Sequence, residues 1–453
     1  MKRMKKICFS AILTIALICN MVLTTAAAAM PSSEEMYAQR ELAGIQQFQR
    51  LMDYFESRAA TASVDGDITA VYPEYYGGAY LNDDGNLVVV MTDMSDKATV
   101  QEVTQNTKLT VQHGAVSLNT LMATYELIWN TYVAYKEMYK GVDESEISPE
   151  MKCYLDNFVG VGVKQSENAV LVDLMNTDEK TIACVEQFLP DVEYVRIAEH
   201  ENPVSELDVQ EELDISEKKK NIESKSNSKQ YYPGDSIHIH GYENGTIGFK
   251  CLVWDSQSSQ YKDAFVTAGH AVAVELPDES LMFNENQIVY EGNQSPTQEN
   301  GTAIGKVFAG QIGGKLDVAL VILDDGVPEI SGTTKSGAVL KNGSFFTANE
   351  TLEGTMAYME GSVSGKVNGK VKNVAYSYND NELGVHFDDV IRCNYTGVKG
   401  DSGGVVYAQV DNGDNAIIGI HHGILSIFSG SDAIVIKGVN ILDAYQGVIY
   451  AYS

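Results

Sequence analysis

The fold class is decided by five short apolar runs in the second half of the chain: IGFKCLVWD (247–255), DAFVTAG (263–269), DVALVIL (317–323), GVVYAQV (404–410) and AIIGI (416–420). Each run is rich in Val, Ile, Tyr or Phe and is bounded by turn-forming residues, a pattern typical of β-strands. Residues 231–453 are therefore predicted to form an all-β domain.

Residues 30–200 show a different pattern. The runs GGAYL and LVVVMT flank the turn-forming residues 82–86 and predict a β-hairpin. A second hairpin is expected around residues 164–168, and apolar residues at helical spacing predict helices at about 116–139 and 178–189. We therefore expect a small α+β domain before the all-β domain.

The segment between these domains, residues 201–230, has the composition of a linker. Its sequence SELDVQEELDISEKKKNIESKSNSK (205–229) alternates acidic and basic blocks and contains almost no large apolar residue. Such a stretch buries too little apolar surface to offset the entropy of ordering. We expect a disordered processing linker that is open to proteolysis.

Residues 1–29 have the layout of a secretory signal peptide. Lys2, Arg3, Lys5 and Lys6 precede an apolar run, and the alanines 26–29 offer small-residue cleavage positions. We expect cleavage and secretion into the extracellular medium, with an uncleaved membrane anchor as the alternative.

Length and charge limit the classes of protein to consider. A chain of 453 residues predicts two or three domains. It carries 62 acidic against 32 basic residues, a net charge of −30, which argues against nucleic acid as a partner. Acidic residues outnumber basic ones in both halves, so we expect shape, not net charge, to hold any contact between them.

The pentapeptide GDSGG at residues 400–404 is the strongest chemical signal. Its glycines leave the Ser402 hydroxyl uncrowded and let backbone N–H groups point at one spot, which suits a nucleophile. A serine nucleophile needs a base and a carboxylate that orients the base. His270 ends the run AFVTAGH, and Asp317 lies where the run LDVALVIL begins, so both are candidates.

The stretches TAGH, DVAL and GDSGG resemble the chymotrypsin-like serine endopeptidases, and the resemblance covers most of residues 231–453. It implies a double β-barrel of two six-stranded barrels with the catalytic residues at their junction. It also implies that His270 is the general base, Asp317 its orienting partner and Ser402 the nucleophile, with the N–H groups of Gly400 and Ser402 as the oxyanion hole.

The stretch YPEYYGGAYLNDDGNLVVVMTD (72–93) resembles the prosegment of the bacterial subgroup that includes α-lytic protease and the streptogrisins. In that subgroup the prosegment is an inhibitor and folding aid that is later removed. The resemblance therefore implies a secreted zymogen that acts on protein or peptide substrates, and a monomer.

Three residues bear on the substrate-binding pocket by the same resemblance. Thr396 occupies the position where a trypsin-like enzyme has Asp, and His421 matches the histidine by which glutamyl endopeptidases hold an acidic side chain. With Lys399 nearby, cleavage after Glu or Asp is expected, and we expect His421 to carry charge near neutrality. The alternatives are a preference for small or aromatic residues, or a strand in which His421 and His422 simply alternate between buried and exposed faces.

Two departures from the bacterial subgroup leave questions open. Ala271 follows His270 where a cysteine is common, so Cys251 and Cys393 either pair with each other or are buried thiols. In this fold Asp401 requires a cationic partner, for which Arg392 or the amino terminus freed by processing are candidates.

No metal ion or cofactor is predicted. His238 and His240 share a strand face but lack a third ligand. A different class of function, a catalytically idle secreted binding protein on the same fold, remains the competing hypothesis.

Overall fold

The computed structural model of the protein describes residues 32–62, 72–198 and 229–450, apart from 241–243, 257, 276–280, 285, 293–300, 347–350, 382, 411–413, 428–429 and 447. The chain divides into two compact units, Met1–Arg40 and Glu41–Ser453. The predicted signal peptide and nearly all of the predicted linker lie outside the described residues. No described helix is long and apolar enough to cross a membrane.

The N-terminal part has the α+β composition expected from the sequence. Its helices are α1 (Ser33–Ala62), α2 (Lys97–Val103), α3 (Leu118–Met138), α4 (Pro149–Asn157) and α5 (Glu179–Val185). Its strands are β1 (Tyr76–Leu81), β2 (Leu87–Met91), β3 (Thr110–His113), β4 (Phe158–Lys164), β5 (Ala169–Leu174) and β6 (Val195–Ile197). Both predicted hairpins (β1–β2 and β4–β5) and both predicted helices (α3 and α5) are confirmed.

Short polar side chains set the limits of these elements. The hydroxyls of Ser117 and Ser148 accept backbone hydrogen bonds in the first turns of α3 and α4. In the β1–β2 turn, Asn82 Oδ1 accepts hydrogen bonds from the backbone N–H groups of Asp84 (3.1 Å) and Asn86 (2.9 Å). An Asx turn of this kind explains why the residues quoted from the sequence reverse the chain here.

The all-β prediction for residues 231–453 is confirmed, and the described residues of this range include one short helix, α6 (Gly438–Ala444), near its end. Its first large sheet has eight strands in the order β23-β9-β10-β15-β14-β13-β7-β8. These strands are β7 (Ser236–His238), β8 (Asn244–Thr246), β9 (Lys250–Asp255), β10 (Gln260–Thr267), β13 (Ile288–Glu291), β14 (Ala303–Gly313), β15 (Leu316–Leu323) and β23 (Ile449–Tyr450). A separate two-stranded ribbon is formed by β11 (Val274–Glu275) and β12 (Leu281–Met282).

The second large sheet combines strands of both parts of the chain. From the all-β domain it takes β16 (Val339–Phe345), β17 (Met356–Gly361), β18 (Gly365–Asp380), β19 (Val385–Cys393), β20 (Val405–Gln409), β21 (Asp414–Ile427) and β22 (Gly430–Lys437). Strand β4 then pairs antiparallel with β18, placing Gly160 opposite Tyr378 and Gly162 opposite Tyr376. The second sheet thus has ten strands, because the N-terminal part adds β4, β5 and β6 to its edge.

The hydrophobic core is continuous across that junction. One cluster of buried side chains includes Trp129 and Phe158 from the N-terminal part together with Ile391 and Val435 from the all-β domain. Burial of this apolar surface stabilises the contact between the two parts.

Cys251 and Cys393 are fully buried free thiols in two different core clusters. Of the two alternatives left open by the sequence, the structure shows buried thiols. Burial raises the pKa of both thiols, so they behave as small apolar side chains.

Candidate active site

His270 lies in the turn that follows β10. Its backbone N–H donates to Asp317 Oδ1 (2.8 Å), and its ring Nδ1 lies 2.6 Å from Asp317 Oδ2. A methyl group on Gly269 would lie 2.9 Å from Asp317 Oδ1, so the glycine of TAGH leaves room for the carboxylate. The two residues predicted as base and orienting partner are therefore brought together.

Asp317, near the start of β15, is fully buried. Burial on its own would raise the pKa of this carboxyl group, but the imidazoles of His270 and His422 hold it well below its ordinary value. Asp317 is therefore an anion, and its oxygens accept hydrogen bonds.

Ser402 lies in the glycine turn between β19 and β20. Gly400 and Gly403 have φ angles of 100° and 92°, in the left-handed region that favours glycine. A methyl group on Gly403 would lie 2.3 Å from Thr267 Oγ1, so the turn packs directly against the end of β10, close to His270.

Strand β8 joins the serine turn to the histidine turn. The backbone N–H of Thr246 donates to Ser402 O (2.8 Å). A methyl group on Gly245 would lie 2.7 Å from Ala271 Cβ and 3.5 Å from Ser402 O. Gly245 thus packs between Ser402 and Ala271, the residue after His270. This packing brings all three predicted catalytic residues to one place between the two sheets.

The carbonyl group of Gly400 is held in a fixed direction. It accepts hydrogen bonds from Thr246 Oγ1 (2.7 Å) and Ser362 Oγ (2.8 Å). Among the residues that the structure describes, no hydrogen bond is donated by the N–H groups of Gly400 and Ser402. These are the two groups predicted to form an oxyanion hole.

Asp401 is fully buried, but its partners are not those expected. Its carboxylate accepts hydrogen bonds from the backbone N–H groups of Val363 (2.9 Å), Ser364 (3.0 Å) and Val398 (2.9 Å). Arg392 instead forms ion pairs with Asp173 and Asp432. Arg392 was therefore the wrong candidate: backbone amides satisfy this buried carboxylate directly.

His421 is buried, and Thr396 and Lys399 are exposed on the adjacent loop. The Tyr395 hydroxyl lies 3.1 Å from His421 Nδ1, and a methyl group on Gly397 would lie 2.7 Å from His421 Nε2. The structure therefore places the three predicted pocket residues around one loop, with the backbone of Gly397 packed closely against the Nε2 edge of His421.

The expectation that His421 is charged near neutrality is wrong. Burial, together with the neighbouring imidazoles of His422 and His270, lowers its pKa to about 3, and Asp401 offsets this only in part. Desolvation of this buried ring affects its pKa more strongly than the negative charge of the chain does.

The roles of His422 and Asp380 were not predicted from the sequence. Both His421 and His422 are buried, because a β-bulge between His421 and Gly423 interrupts the alternation of faces along β21. The expected alternative of one buried and one exposed histidine is therefore wrong. His422 Nδ1 lies 2.6 Å from Asp317 Oδ2, and its Nε2 lies 3.2 Å from Asp380 Oδ2.

The consecutive histidines were a visible signal for this site, whereas nothing in the sequence around Asp380 pointed to it.

Among the described residues, His270, Asp317 and His422 cluster closely enough for a metal centre to be considered. Nδ1 of His270 and Nδ1 of His422 both lie at hydrogen-bond distance from Asp317 Oδ2. We therefore assign the cluster to hydrogen bonding. His238 stacks on Tyr290 and directs Nδ1 at the carbonyl oxygen of Gly292 (2.8 Å), the environment of a core histidine.

Comparison with known families bears on the N-terminal part. A sequence model of the Pro-like N-terminal domain matches residues 32–139. The resemblance to a prosegment is thereby confirmed over those residues. No curated protein matches the chain.

Several solved structures are similar to about half of the chain. Protease A of Thermobifida fusca has 16% identity and a TM-score of 0.36, over 50% of this chain and 100% of its own. The Nocardiopsis protease NAPase has 16% identity and a TM-score of 0.36, over 49% and 99%. A protease described as a glutamic acid specific serine protease that utilizes a histidine triad in substrate binding has 20% identity and a TM-score of 0.34, over 48% and 98%. Identities and TM-scores this low assign neither an activity nor a substrate.

Proposed function

We propose that the protein is a serine endopeptidase, made as a secreted preproenzyme, that hydrolyses peptide bonds through an acyl-enzyme at Ser402. The observation that carries the proposal is the pairing of His270 with the buried anion Asp317 beside the glycine turn that bears Ser402.

The contact of His270 with Asp317 supports its role as the base. With Nδ1–H donated to Asp317, the neutral His270 ring carries its lone pair on Nε2. Ser402 Oγ attacks the peptide carbonyl carbon as His270 takes the hydroxyl proton, and His270 then gives that proton to the leaving amine. The N–H groups of Gly400 and Ser402 stabilise the oxyanion, and water hydrolyses the acyl-enzyme in a second round of the same steps.

The N-terminal part acts in this proposal as a removable prosegment. The segment 30–200 adds strands to the second sheet of the enzyme domain (231–453), and residues 201–230 are the stretch where processing occurs. A template that completes a sheet lowers the barrier to forming non-local strand pairs, which supports a role as folding aid as well as inhibitor.

The finer part of the proposal is cleavage after Glu or Asp. In this proposal Tyr395 donates to Nδ1, so that the neutral His421 ring carries its proton on Nε2, at the edge that faces Gly397. A carboxylate that enters a partly dry pocket must meet hydrogen-bond donors, and this N–H with Lys399 on the loop would supply them.

The variant Ser402→Ala tests the proposal. We expect hydrolysis of peptide esters to fall by roughly 10⁴-fold or more, because no acyl-enzyme can form, while the protein stays folded. Self-processing, followed by intact mass, should stop as well.

The matched control is Ser258→Ala, which removes an exposed serine hydroxyl that hydrogen-bonds Asp255 on the turn after β9. This control should keep full activity. Turnover retained by Ser402→Ala would contradict the proposal, and a protein that never hydrolyses peptides would support the idle binding protein instead.

A further inference from the structure

The carboxylate of Asp317 accepts hydrogen bonds from two histidines, one next to the first large sheet and one on the second. Nδ1 of His270 and Nδ1 of His422 each lie 2.6 Å from the same oxygen, Oδ2. The rings are edge to face, with their centroids 5.2 Å apart. Asp317 and the side chain of His422 are almost completely shielded from water, so these contacts are made in a low-dielectric environment.

The partner of the second ring nitrogen of His422, Nε2, indicates the protonation state of the ring. Nε2 lies 3.2 Å from Oδ2 of Asp380, whose other oxygen accepts the backbone N–H of Leu383 (2.9 Å). Ionised carboxylates accept hydrogen bonds but cannot donate them. A ring with a carboxylate oxygen at each nitrogen must donate from both, and only the imidazolium form of histidine does so.

We propose that His422 is a positioning residue of the peptidase, an imidazolium that bridges Asp317 and Asp380 and fixes the Asp317 carboxylate against His270. The inference rests on the proposed function. The ring nitrogens of His422 are directed at Asp317 and Asp380, so it acts through Asp317.

The groups around the His422 ring favour this charge. It faces Asp317 on β15, Asp380 and Tyr378 on β18, Phe387 on β19 and His270 after β10, with His421 next to it on β21. Burial alone would lower the pKa of His422, but the two carboxylates outweigh burial and raise it to about 9. Among these groups His270 is the one that gains a proton during the proposed reaction.

A positive charge beside Asp317 holds the carboxylate in one place. The His422 imidazolium donates Nδ1–H to Asp317 Oδ2, the same oxygen that faces His270 Nδ1, and its Nε2–H is anchored by Asp380. Because the pKa of His422 is raised to about 9, this support is present below about pH 9 and is lost as the pH rises through that value. The basic limb of the kcat/KM profile is the observable that reports this.

The variant His422→Gln removes the charge and keeps a side chain that donates a hydrogen bond. In the unaltered enzyme we expect kcat/KM to fall as the pH rises through about 9; in His422→Gln this basic limb should disappear, with kcat about tenfold lower and KM changed little. The control His238→Gln alters another buried histidine, whose partner is a backbone carbonyl, and should keep the limb. A basic limb near pH 9 that persists in His422→Gln would overturn the inference.

A second readout does not depend on activity or on the variant folding. In full-length Ser402→Ala labelled with ¹⁵N-histidine, His422 should show two protonated nitrogens near pH 7 and lose a proton at about pH 9. A neutral His422 near pH 7 would overturn the inference, even if Ser402 proves to be the nucleophile. If the protein proves inactive, the proposed function fails, but these nitrogen shifts still decide whether His422 forms the bridge.

Discussion

Two consecutive residues, His421 and His422, show how strongly local surroundings determine charge. Both are buried, yet the pKa of His421 falls to about 3 and that of His422 rises to about 9. Burial lowers both values, and the difference arises because His422 contacts two carboxylates while His421 contacts the Tyr395 hydroxyl. The bulge at this point in β21 therefore gives two neighbouring residues different environments, which underlie the pocket role proposed for His421 and the positioning role proposed for His422.

The charge state of His421 predicts how the substrate preference depends on pH. Its ring gains a proton only as the pH falls toward about 3, so it stays neutral across the working range. A substrate Glu is ionised above about pH 5. We expect the ratio of kcat/KM for Glu over Gln, measured on matched peptides, to stay constant from about pH 6 to pH 9.

His421→Ala should lower that ratio about tenfold or more, because the pocket loses a donor to the carboxylate. Lys399→Ala is the companion variant and separates the contribution of the loop charge from that of the ring. A ratio that falls between about pH 6 and pH 7 in the unaltered enzyme would show that His421 is charged. A ratio untouched by His421→Ala would show that this ring does not line the pocket.

At the residue scale, the sequence predicted the candidate catalytic residues that lie in short motifs. GDSGG, TAGH and DVAL led to Ser402, His270 and Asp317, and the structure brings them together. The partners of Asp401 and the role of Asp380 were not predictable, because backbone amides and a carboxylate from a distant strand leave no local pattern in the sequence.

At the scale of elements, the edge between β4 and β18 joins the two parts of the chain. Gly160 and Gly162 allow the approach: a methyl group on Gly160 would lie 2.6 Å from Ser377 O, and one on Gly162 would lie 2.7 Å from Tyr376 Cδ2. Sequence patterns predicted both strands but not their pairing, because their residues are more than two hundred positions apart and no turn sets their register.

A buried ion pair accompanies this edge. Arg392 Nη1 lies 2.7 Å from Asp173 Oδ2 of the N-terminal part, and its Nη2 lies 2.6 Å from Asp432 Oδ2. Arg392 also stacks over the Tyr376 ring, 4.5 Å from its centroid. Removing Asp173 would leave the guanidinium with one carboxylate partner instead of two in a site with little access to water. The loss would destabilise the contact between the two parts of the chain.

We therefore predict that Asp173→Asn weakens the hold of the prosegment. The test uses full-length Ser402→Ala, cleaved by an added protease between residues 201 and 230, with the separation of the two fragments followed over time. Dissociation should be faster by about 30-fold or more, as expected for one partner of a buried charged pair.

The control for this prediction is Glu167→Gln, which breaks an exposed ion pair with Arg196 inside the N-terminal part. Exposed pairs contribute little, so the control should dissociate like the parent protein. Equal rates for Asp173→Asn and Glu167→Gln would show that the Arg392 pair does not hold the two parts together.

At the scale of the whole molecule, charge contributes to docking despite a net charge of −30. We expected shape alone to hold two acidic parts together, and the shared core does contribute. Local pairs add to it: Asp173 with Arg392, and Lys164 with Glu353, whose carboxylate also accepts the backbone N–H of Gln165 (3.0 Å). Net charge was a poor guide because buried contacts at short range outweigh screened repulsion between distant surface charges.

The composition of the chain predicted an α+β part followed by an all-β part, and the structure confirms both. It did not predict that the two would share one sheet, since strand composition does not reveal which edges meet. The resemblance implied six strands in each barrel, whereas the second sheet has ten when β4, β5 and β6 of the N-terminal part are included.

The central claim is that His270 and Asp317 activate Ser402 as a nucleophile. The most direct measurement is treatment of the processed protein with an organofluorophosphate, followed by mass spectrometry of its peptides, with His270→Ala treated in parallel. Activated serines react with this reagent, whereas merely exposed ones do not. We predict a single adduct on Ser402 that is lost in His270→Ala; no adduct on Ser402, or an equal adduct without His270, would contradict the account.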